Sequence, residues 1–228
     1  MPYCARKHQL EQSLVYHAYN RSNARVAVFH SDGDYHYFIR LLKEYAKRFG
    51  SKVYHWVVMP NHYHLLMELE KPENISKLMA GLNRTYTCYY HRNYATAGFL
   101  WQGRFKLQPV QKEEYLTACG RYIERNPVKA NIVSEAKSYP YSSAQFYCLG
   151  GKDELTQKNP LFDGFGRNEI ERQVAYTEFL RNFDSEQELS FDNLEQPVGS
   201  KEFVRRLILE NGRYLPKRRG RPRSGIVL

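Results

Sequence analysis

The sequence predicts an α+β fold, and three observations lead to that prediction. Segments rich in β-branched and aromatic residues alternate with segments whose apolar residues recur at helical spacing. Two strand-like segments, 51–59 and 62–69, are separated only by Pro60-Asn61, a pair that favours a hairpin turn. The first half of the chain therefore runs strand, helix, strand, strand, helix, strand, which is the βαββαβ order of a ferredoxin-like core.

The individual elements follow in chain order. The first strand is SLVYHAYN (13–20), and the first helix runs from about Asp34 to Phe49, before Gly50. The hairpin strands are SKVYHWVVM (51–59) and HYHLLMEL (62–69). A second helix, 74–94, begins near an Asn cap, and GRFKLQPV (103–110) is a strand that Pro109 assigns to an edge. An added helix, 112–126, should end at Pro127, because the residue before proline avoids the helical region.

The composition changes past about residue 150, so we predict one domain over 1–150 and a helical C-terminal extension over 151–215. GGKDELTQKNP is typical of a linker, and 168–183 and 200–212 are typical of helices. The final stretch, 216–228, contains PKRRGRPRSG and has little to bury, which predicts a disordered basic tail.

The charge balance points to a polyanionic partner. The 228 residues include 34 Lys and Arg against 24 Asp and Glu, a formal charge of +10. Cys4, Cys88, Cys119 and Cys148 form no CxxC pair, which argues against a zinc ribbon and a disulfide framework. The N-terminus lacks the apolar core of a signal peptide, and no apolar run is long enough to span a membrane. We expect a cytoplasmic, nucleoid-associated protein without a membrane partner.

Two histidines in MPNHYHLLMEL (59–69) are the first candidate site. Side chains alternate along a strand, so His62 and His64 lie on one face and Tyr63 on the other. Neutral imidazoles side by side suit a divalent transition metal. Histidines that merely occupy the polar face of a half-buried strand are the alternative, which only a third ligand would weaken.

RYIERNP (121–127) offers such a ligand and a nucleophile. Tyr122 and Asn126 are four residues apart and share one helix face. An amide oxygen can coordinate a hard metal while a tyrosine one turn away attacks a phosphodiester. A core aromatic for Tyr122 and a helix cap for Asn126 remain the simpler alternatives.

Three ordered motifs, MPNHYHLLMEL, WQGRFK (101–106) and YIERNPVKANIV (122–133), closely resemble the single-tyrosine HUH transposases of the insertion-sequence type. Within that group the likeness is strongest to the REP-associated tyrosine transposases (RAYTs), over about residues 10–150. The resemblance assigns the HUH motif to His62, Tyr63 and His64, the nucleophile to Tyr122 and the third metal ligand to Asn126. Tyr63 departs from the usual aliphatic residue, and we expect its ring to face the core.

The resemblance implies the HUH nuclease fold and a nuclease and strand transferase that acts on single-stranded and hairpin DNA. It implies Mg²⁺ or Mn²⁺ as the cofactor, a 5′-phosphotyrosine intermediate, and a monomer or homodimer. The general base and the cis or trans use of Tyr122 stay open at this stage.

Further residues suit DNA contact. In WQGRFK, Trp101 or Phe105 can stack on a base while Arg104 and Lys106 meet phosphates, although a turn whose Trp caps the core is the alternative for Trp101. Arg21 and Arg25 follow the first strand. Arg219 and Arg221 form an AT-hook-like Arg-Gly-Arg-Pro element for A·T-rich duplex, or belong to a plain basic tail.

Two other functions compete with DNA cleavage and rejoining. One is a domesticated, catalytically silent protein that binds hairpin DNA. The other is a metal-dependent phosphoesterase for small molecules, which the basic charge and the tail disfavour.

Overall fold

The structure, a computed structural model, describes residues 10–12, 14–192 and 196–211. The four strands are β1 (Val15–Arg21), β2 (Ser51–Met59), β3 (His62–Leu69) and β4 (Lys106–Val110). The helices are α1 (Asp32–Arg48), α2 (Ile75–Tyr94), α3 (Glu114–Glu124), α4 (Asn126–Lys129), α5 (Ala144–Leu149), α6 (Glu169–Arg181), α7 (Ser185–Asp192) and α8 (Lys201–Asn211). Short 3-10 turns lie at Asn23–Arg25, Pro72–Asn74, Ala136–Ser138 and Phe162–Phe165.

The strands form one antiparallel sheet in the order β2-β3-β1-β4. This order, with two helices in the crossovers, confirms the predicted α+β class and the ferredoxin-like βαββαβ core. The central strands β1 and β3 pair in a register that sets Tyr19 opposite His64 and Arg21 opposite His62. Residues opposite each other share a face of the sheet, so these four side chains lie on the same side.

Alternation along the strands divides the sheet into two apolar faces. One face, with Leu65 and Val58, packs against α1 and α2 in the larger core. The other face, with Leu66 and Val57, packs against α3 and reaches Phe191 of α7. The extension therefore shares a core with the first domain.

Two predicted boundaries shift for local reasons. Helix α1 begins at Asp32, because the carboxylate of Asp34 accepts hydrogen bonds from the backbone N–H groups of His30 (2.8 Å) and Ser31 (3.0 Å). The helix predicted to end at Pro127 ends at Glu124, and a new turn, α4, starts at Asn126. Pro127 lies in the first turn of α4, where its missing N–H costs no hydrogen bond.

The segment predicted as a linker packs on the core. Leu155, Thr156 and Asn159 are buried, and the indole N–H of Trp56 donates to Thr156 Oγ1 at 2.9 Å. The prediction was wrong because composition reports polarity and not the partners that polar groups find. Within the described part of the chain, no helix is both long and apolar enough to cross a membrane.

Candidate active site

The two histidines of β3 lie on the sheet face that α3 covers. His64 is 2% exposed and His62 is partly exposed at the start of the strand. The intervening Tyr63 points to the opposite face, where it is fully buried and its hydroxyl donates to Asn83 Oδ1 at 2.7 Å. This confirms the predicted alternation and the expectation that Tyr63 faces the core.

A chain of hydrogen bonds fixes the tautomer of His64. Gln108 Nε2 donates to the carbonyl of Ser190 (3.1 Å), which turns Gln108 Oε1 toward His17 Nδ1 (3.2 Å). An amide oxygen only accepts, so His17 carries its hydrogen on Nδ1 and accepts through Nε2. The 2.7 Å bond to His17 Nε2 is therefore donated by His64 Nδ1. His64 is left with a bare lone pair on Nε2.

His62 is oriented in the same way by its neighbour in the chain. Asn61 Nδ2 donates to the carbonyl of Arg25 (2.7 Å), so Asn61 Oδ1 accepts from His62 Nδ1 (2.6 Å). The Nε2 atom of His62 therefore also carries a lone pair. A histidine that binds a metal normally engages its other ring nitrogen in such a bond.

The third predicted ligand comes from the start of α4. Asn126 Nδ2 donates to the carbonyls of Tyr122 (3.0 Å) and Ile123 (3.2 Å), so its Oδ1 is the amide atom that α3 does not engage. Asn126 and His62 line the same cleft. The helix-cap alternative is thus partly realised, because the amide nitrogen does cap carbonyls of α3 while the oxygen stays available.

These three donors fit a divalent metal ion. Each ligand has its donor atom bare and its other polar atom engaged, and two imidazoles with one amide oxygen suit Mn²⁺ or a similar ion. Over the described residues, no group of three or more His, Cys, Asp or Glu side chains is arranged to hold a metal. A metal at this site would therefore depend on the amide as its third protein ligand.

Burial keeps the imidazoles of the site neutral. It lowers the pKa of His62 to about 4, with the positive charge of Arg21 adding to the effect. Burial also lowers the pKa of His17 to about 4, and it holds the pKa of His64 well below its ordinary value. Neutral imidazole is the form that binds metals, so His62 and His64 are in the metal-binding protonation state at neutral pH.

Tyr122 reaches the same cleft from α3. Its ring is 4% exposed and lies 5.7 Å from the ring of His64, centroid to centroid. Its hydroxyl donates to Asp192 Oδ1 at 2.7 Å. Burial, and next the hydrogen bond to the carboxylate, raises the pKa of Tyr122 above its ordinary value.

Cations surround the remaining space. The cleft holds about 390 Å³ and is lined by the predicted site residues His62, His64, Tyr122 and Asn126, with Asp192 and the basic side chains of Arg21, Lys106 and Lys129. Arg21 Nε is buried and lacks a hydrogen-bond partner within the described residues. Lys129 Nζ lies 4.7 Å from the centre of the Tyr122 ring and 3.2 Å from Glu188. Such a cleft favours an anionic group.

A buried network anchors α3, the helix that carries Tyr122. Glu124, with no exposed surface, accepts from His55 Nδ1 (2.8 Å), Ser143 Oγ (2.5 Å) and Tyr176 Oη (2.9 Å). Asn159 Nδ2 donates to the other nitrogen of His55 at 2.9 Å. The carboxylate is satisfied by three donors, so its burial is compensated and α3 is joined to the sheet and to α6.

Comparisons with known proteins identify the family of the chain. Residues 11–126, which make up half of the chain, match the model of the IS200-like transposases. This chain belongs to the IS200-like transposase family. A Haemophilus influenzae protein with the provisional name REP-associated tyrosine transposase is 34% identical over 97 residues, 38% of this chain. That match spans 54% of the relative, so the chain matches about half of its length.

The fold also matches a solved structure. A REP-associated tyrosine transposase bound to a REP hairpin superposes with a TM-score of 0.53 at 18% identity, over 65% of this chain and 87% of that one. At this identity the likeness concerns the fold.

The sequence motif WQGRFK, within the family match, has mixed outcomes. Phe105 is 5% exposed and packs in the larger core, so its ring offers no face to a base, which corrects the stacking role expected for it. Trp101 is half-buried, and its indole N–H donates to Thr87 Oγ1 (3.1 Å), in keeping with a core-capping residue. Arg104 is exposed, and Lys106 lines the cleft. Arg219 and Arg221 lie outside the described residues.

Sequence reasoning missed several residues of the site, among them Lys129, which lines the cleft, and the hydrogen-bonding residues His17, Gln108 and Asp192. His17 lies in a strand whose sequence shows no functional motif. Alternation along β1 places His17 on the same face of the sheet as His64 only once the pairing of β1 with β3 is known. Gln108 on β4 could not be placed near His17 for the same reason, because the pairing of β4 with β1 was not known. Asp192 lies 66 positions beyond the end of the family match at residue 126, and no local motif marks it.

Proposed function

We propose that the protein is a metal-dependent endonuclease and strand transferase that cleaves and rejoins single-stranded DNA at hairpin or palindromic, REP-like elements. Its nucleophile would be Tyr122, and its intermediate a 5′-phosphotyrosine. The observation that carries this proposal is the convergence of the Tyr122 hydroxyl and three metal-competent donors on one basic cleft of about 390 Å³.

The choice of substrate rests on the relatives and on charge. The fold neighbour is described as bound to a REP hairpin, and membership in a transposase family supports DNA as the substrate class. The formal charge of +10 and the cationic lining of the cleft fit a phosphodiester backbone. These features also disfavour a phosphoesterase for small molecules.

The attacking oxygen must lose a proton, and Asp192 is the group in contact with it. We assign the carboxylate of Asp192 as the acceptor of the Tyr122 phenolic proton, on the basis of their 2.7 Å hydrogen bond. As the phenolic oxygen bonds to phosphorus, the bond from phosphorus to the 3′ oxygen breaks. The leaving oxygen takes up a proton and becomes a 3′-hydroxyl, so protons balance over the step.

The other side chains hold and neutralise the phosphate. A divalent ion bound by His62 and His64 through Nε2 and by Asn126 through Oδ1 would polarise the scissile phosphate. Arg21 and Lys106 would meet the non-bridging oxygens and the neighbouring phosphates, since both line the cleft.

The test is formation of a covalent adduct. The protein is incubated with single-stranded hairpin DNA from the region flanking its own gene, with Mn²⁺ or with EDTA, and the products are separated on a denaturing gel. We expect a metal-dependent adduct with wild-type protein that is absent in Tyr122→Phe. Tyr115→Phe, on the same helix, is the matched control and should form the adduct.

Two results would contradict the proposal. An adduct that persists in Tyr122→Phe would assign the nucleophile elsewhere. Tight, metal-independent binding of several such hairpins without any adduct would favour the catalytically silent hairpin-binding protein.

A further inference from the structure

Two of the segments without an acidic residue are brought together by the fold. One is 12–31, between Glu11 and Asp32, and the other is 74–112, between Glu73 and Glu113. Their basic residues are Arg21, Arg25, Lys77, Arg84, Arg92, Arg104, Lys106 and Lys112. In a protein with 24 acidic residues, such a gap leaves the cations within these segments, apart from Lys112 beside Glu113, without acidic neighbours in sequence.

The fold joins these two segments at one end of the sheet. Ser22 and Trp101 form an isolated β-bridge, Asn23 N donates to the carbonyl of Leu100 (2.8 Å), and Gln102 N donates to that of Arg21 (2.9 Å). Arg25 and Arg104 are both exposed on the joined loops. The result is a surface, formed by residues 21–26 and 96–104, that is basic and free of carboxylates.

An aromatic ring stands out on this joined-loop surface. Phe99 is 91% exposed, the largest exposed fraction among the large hydrophobic side chains of the described residues. Its loop is held in place, because His91 bonds Thr96 Oγ1 (2.8 Å) and the carbonyl of Gly98 (3.0 Å) through its two ring nitrogens. Phe99 is therefore presented to solvent from a fixed loop, where exposure of a ring has an unfavourable hydration cost.

The joined-loop surface is continuous with the candidate active site. Arg21 belongs to both, since it lines the cleft and its carbonyl accepts the bond from Gln102. Asn61, which orients His62, is bonded to the carbonyl of Arg25. The joined-loop surface therefore begins at the edge of the cleft, at Arg21.

We infer that the joined-loop surface binds the single-stranded DNA beside the scissile phosphate, with Phe99 stacked on an unpaired base. A ring face accepts any base that is free of its own stack, and the flanking arginines neutralise the phosphates. Paired bases do not present their faces, so a duplex gains nothing from the ring. This inference rests on the proposed DNA substrate and extends it to a second set of contacts.

The test compares two DNA probes by fluorescence anisotropy with the full-length protein. One is a hairpin with a single-stranded extension, and the other is the same hairpin with a blunt end. Phe99→Ala should weaken binding of the extended probe by about 5- to 100-fold and leave the blunt probe unchanged. Phe99→Tyr should retain binding, and Ile170→Ala, which removes an apolar side chain 74% exposed on α6, is the matched control.

The outcomes separate this inference from the proposed function. Equal affinity of wild type and Phe99→Ala for the extended probe overturns the inference, as does an equal loss on both probes or no wild-type preference for the extension. If the Tyr122-dependent adduct still forms in these cases, the proposed function stands. A Phe99-dependent preference in a protein that forms no adduct would support the inference and count against the chemistry.

Discussion

Tyr122 of α3 donates its phenolic hydrogen to Asp192 of α7 across 2.7 Å, although the two residues are 70 positions apart in the chain. If Asp192 accepts this proton during attack, Asp192→Asn should slow adduct formation by about 100-fold or more. Hairpin affinity should not fall, because the side chain keeps its size and the cleft loses only a negative charge. The rate is measured as single-turnover adduct formation, and hairpin affinity is measured by fluorescence anisotropy. Glu186→Gln, which neutralises an exposed carboxylate on the same helix, is the control. If Asp192→Asn forms the adduct as fast as wild type, Asp192 is not the proton acceptor.

The hydrogen-bond chain behind His64 should be visible in metal affinity. His17→Leu leaves His64 Nδ1 without its acceptor, so the Nε2 lone pair is no longer held toward the cleft. We expect Mn²⁺ affinity to fall by about 10- to 100-fold. Titration followed by electron paramagnetic resonance of free Mn²⁺ measures this without DNA. His36→Leu, at an exposed position on α1, should have no effect. Equal Mn²⁺ affinities in His17→Leu and His36→Leu would contradict the role of His17 in orienting His64.

Removing the buried carboxylate that anchors α3 should destabilise the protein. Glu124→Ala leaves His55, Ser143 and Tyr176 without their common acceptor in a buried site. We expect a loss of about 3 kcal/mol or more in the free energy of unfolding, measured by urea denaturation. Glu178→Gln on the exposed face of α6 should change it by less than about 0.5 kcal/mol. A small effect in Glu124→Ala would mean that water replaces the lost acceptor.

Stability should depend on pH through the buried histidines. The folded pKa values of His17 and His62 are lowered to about 4, whereas the ordinary value is 6.5. Between these limits the unfolded chain binds protons that the folded chain does not, so without metal the unfolding free energy should fall as pH drops from 6.5 toward 4. The upper bound is roughly 3 kcal/mol for each histidine. Urea denaturation across this range should give a shallower dependence for His62→Gln than for wild type, and an unchanged one for His36→Gln.

The order of the strands and helices was predictable from the sequence, and so were four side chains of the candidate site, His62, His64, Tyr122 and Asn126. Strand alternation set His62 and His64 on one face, and helical spacing related Tyr122 to Asn126, because both periodicities are local properties of the backbone. The hairpin boundaries at 51–59 and 62–69 agree with β2 and β3 because Pro60-Asn61 gives a sharp turn signal. Helices α5 and α7 escaped prediction, since six and eight residues are too few for a periodic signal.

The sequence by itself predicted the strands, the paired histidines and the candidate nucleophile Tyr122, because each is marked by residues close together in the chain. Only the tertiary structure decided which groups orient and contact them. Gln108, Ser190 and His17 act on His64, and Asp192 acts on Tyr122, through contacts between residues 47 to 91 positions apart. It also decided that Phe105 is a core residue and Phe99 an exposed one. Such pairings arise from packing of one element on another, for which no local periodicity carries information.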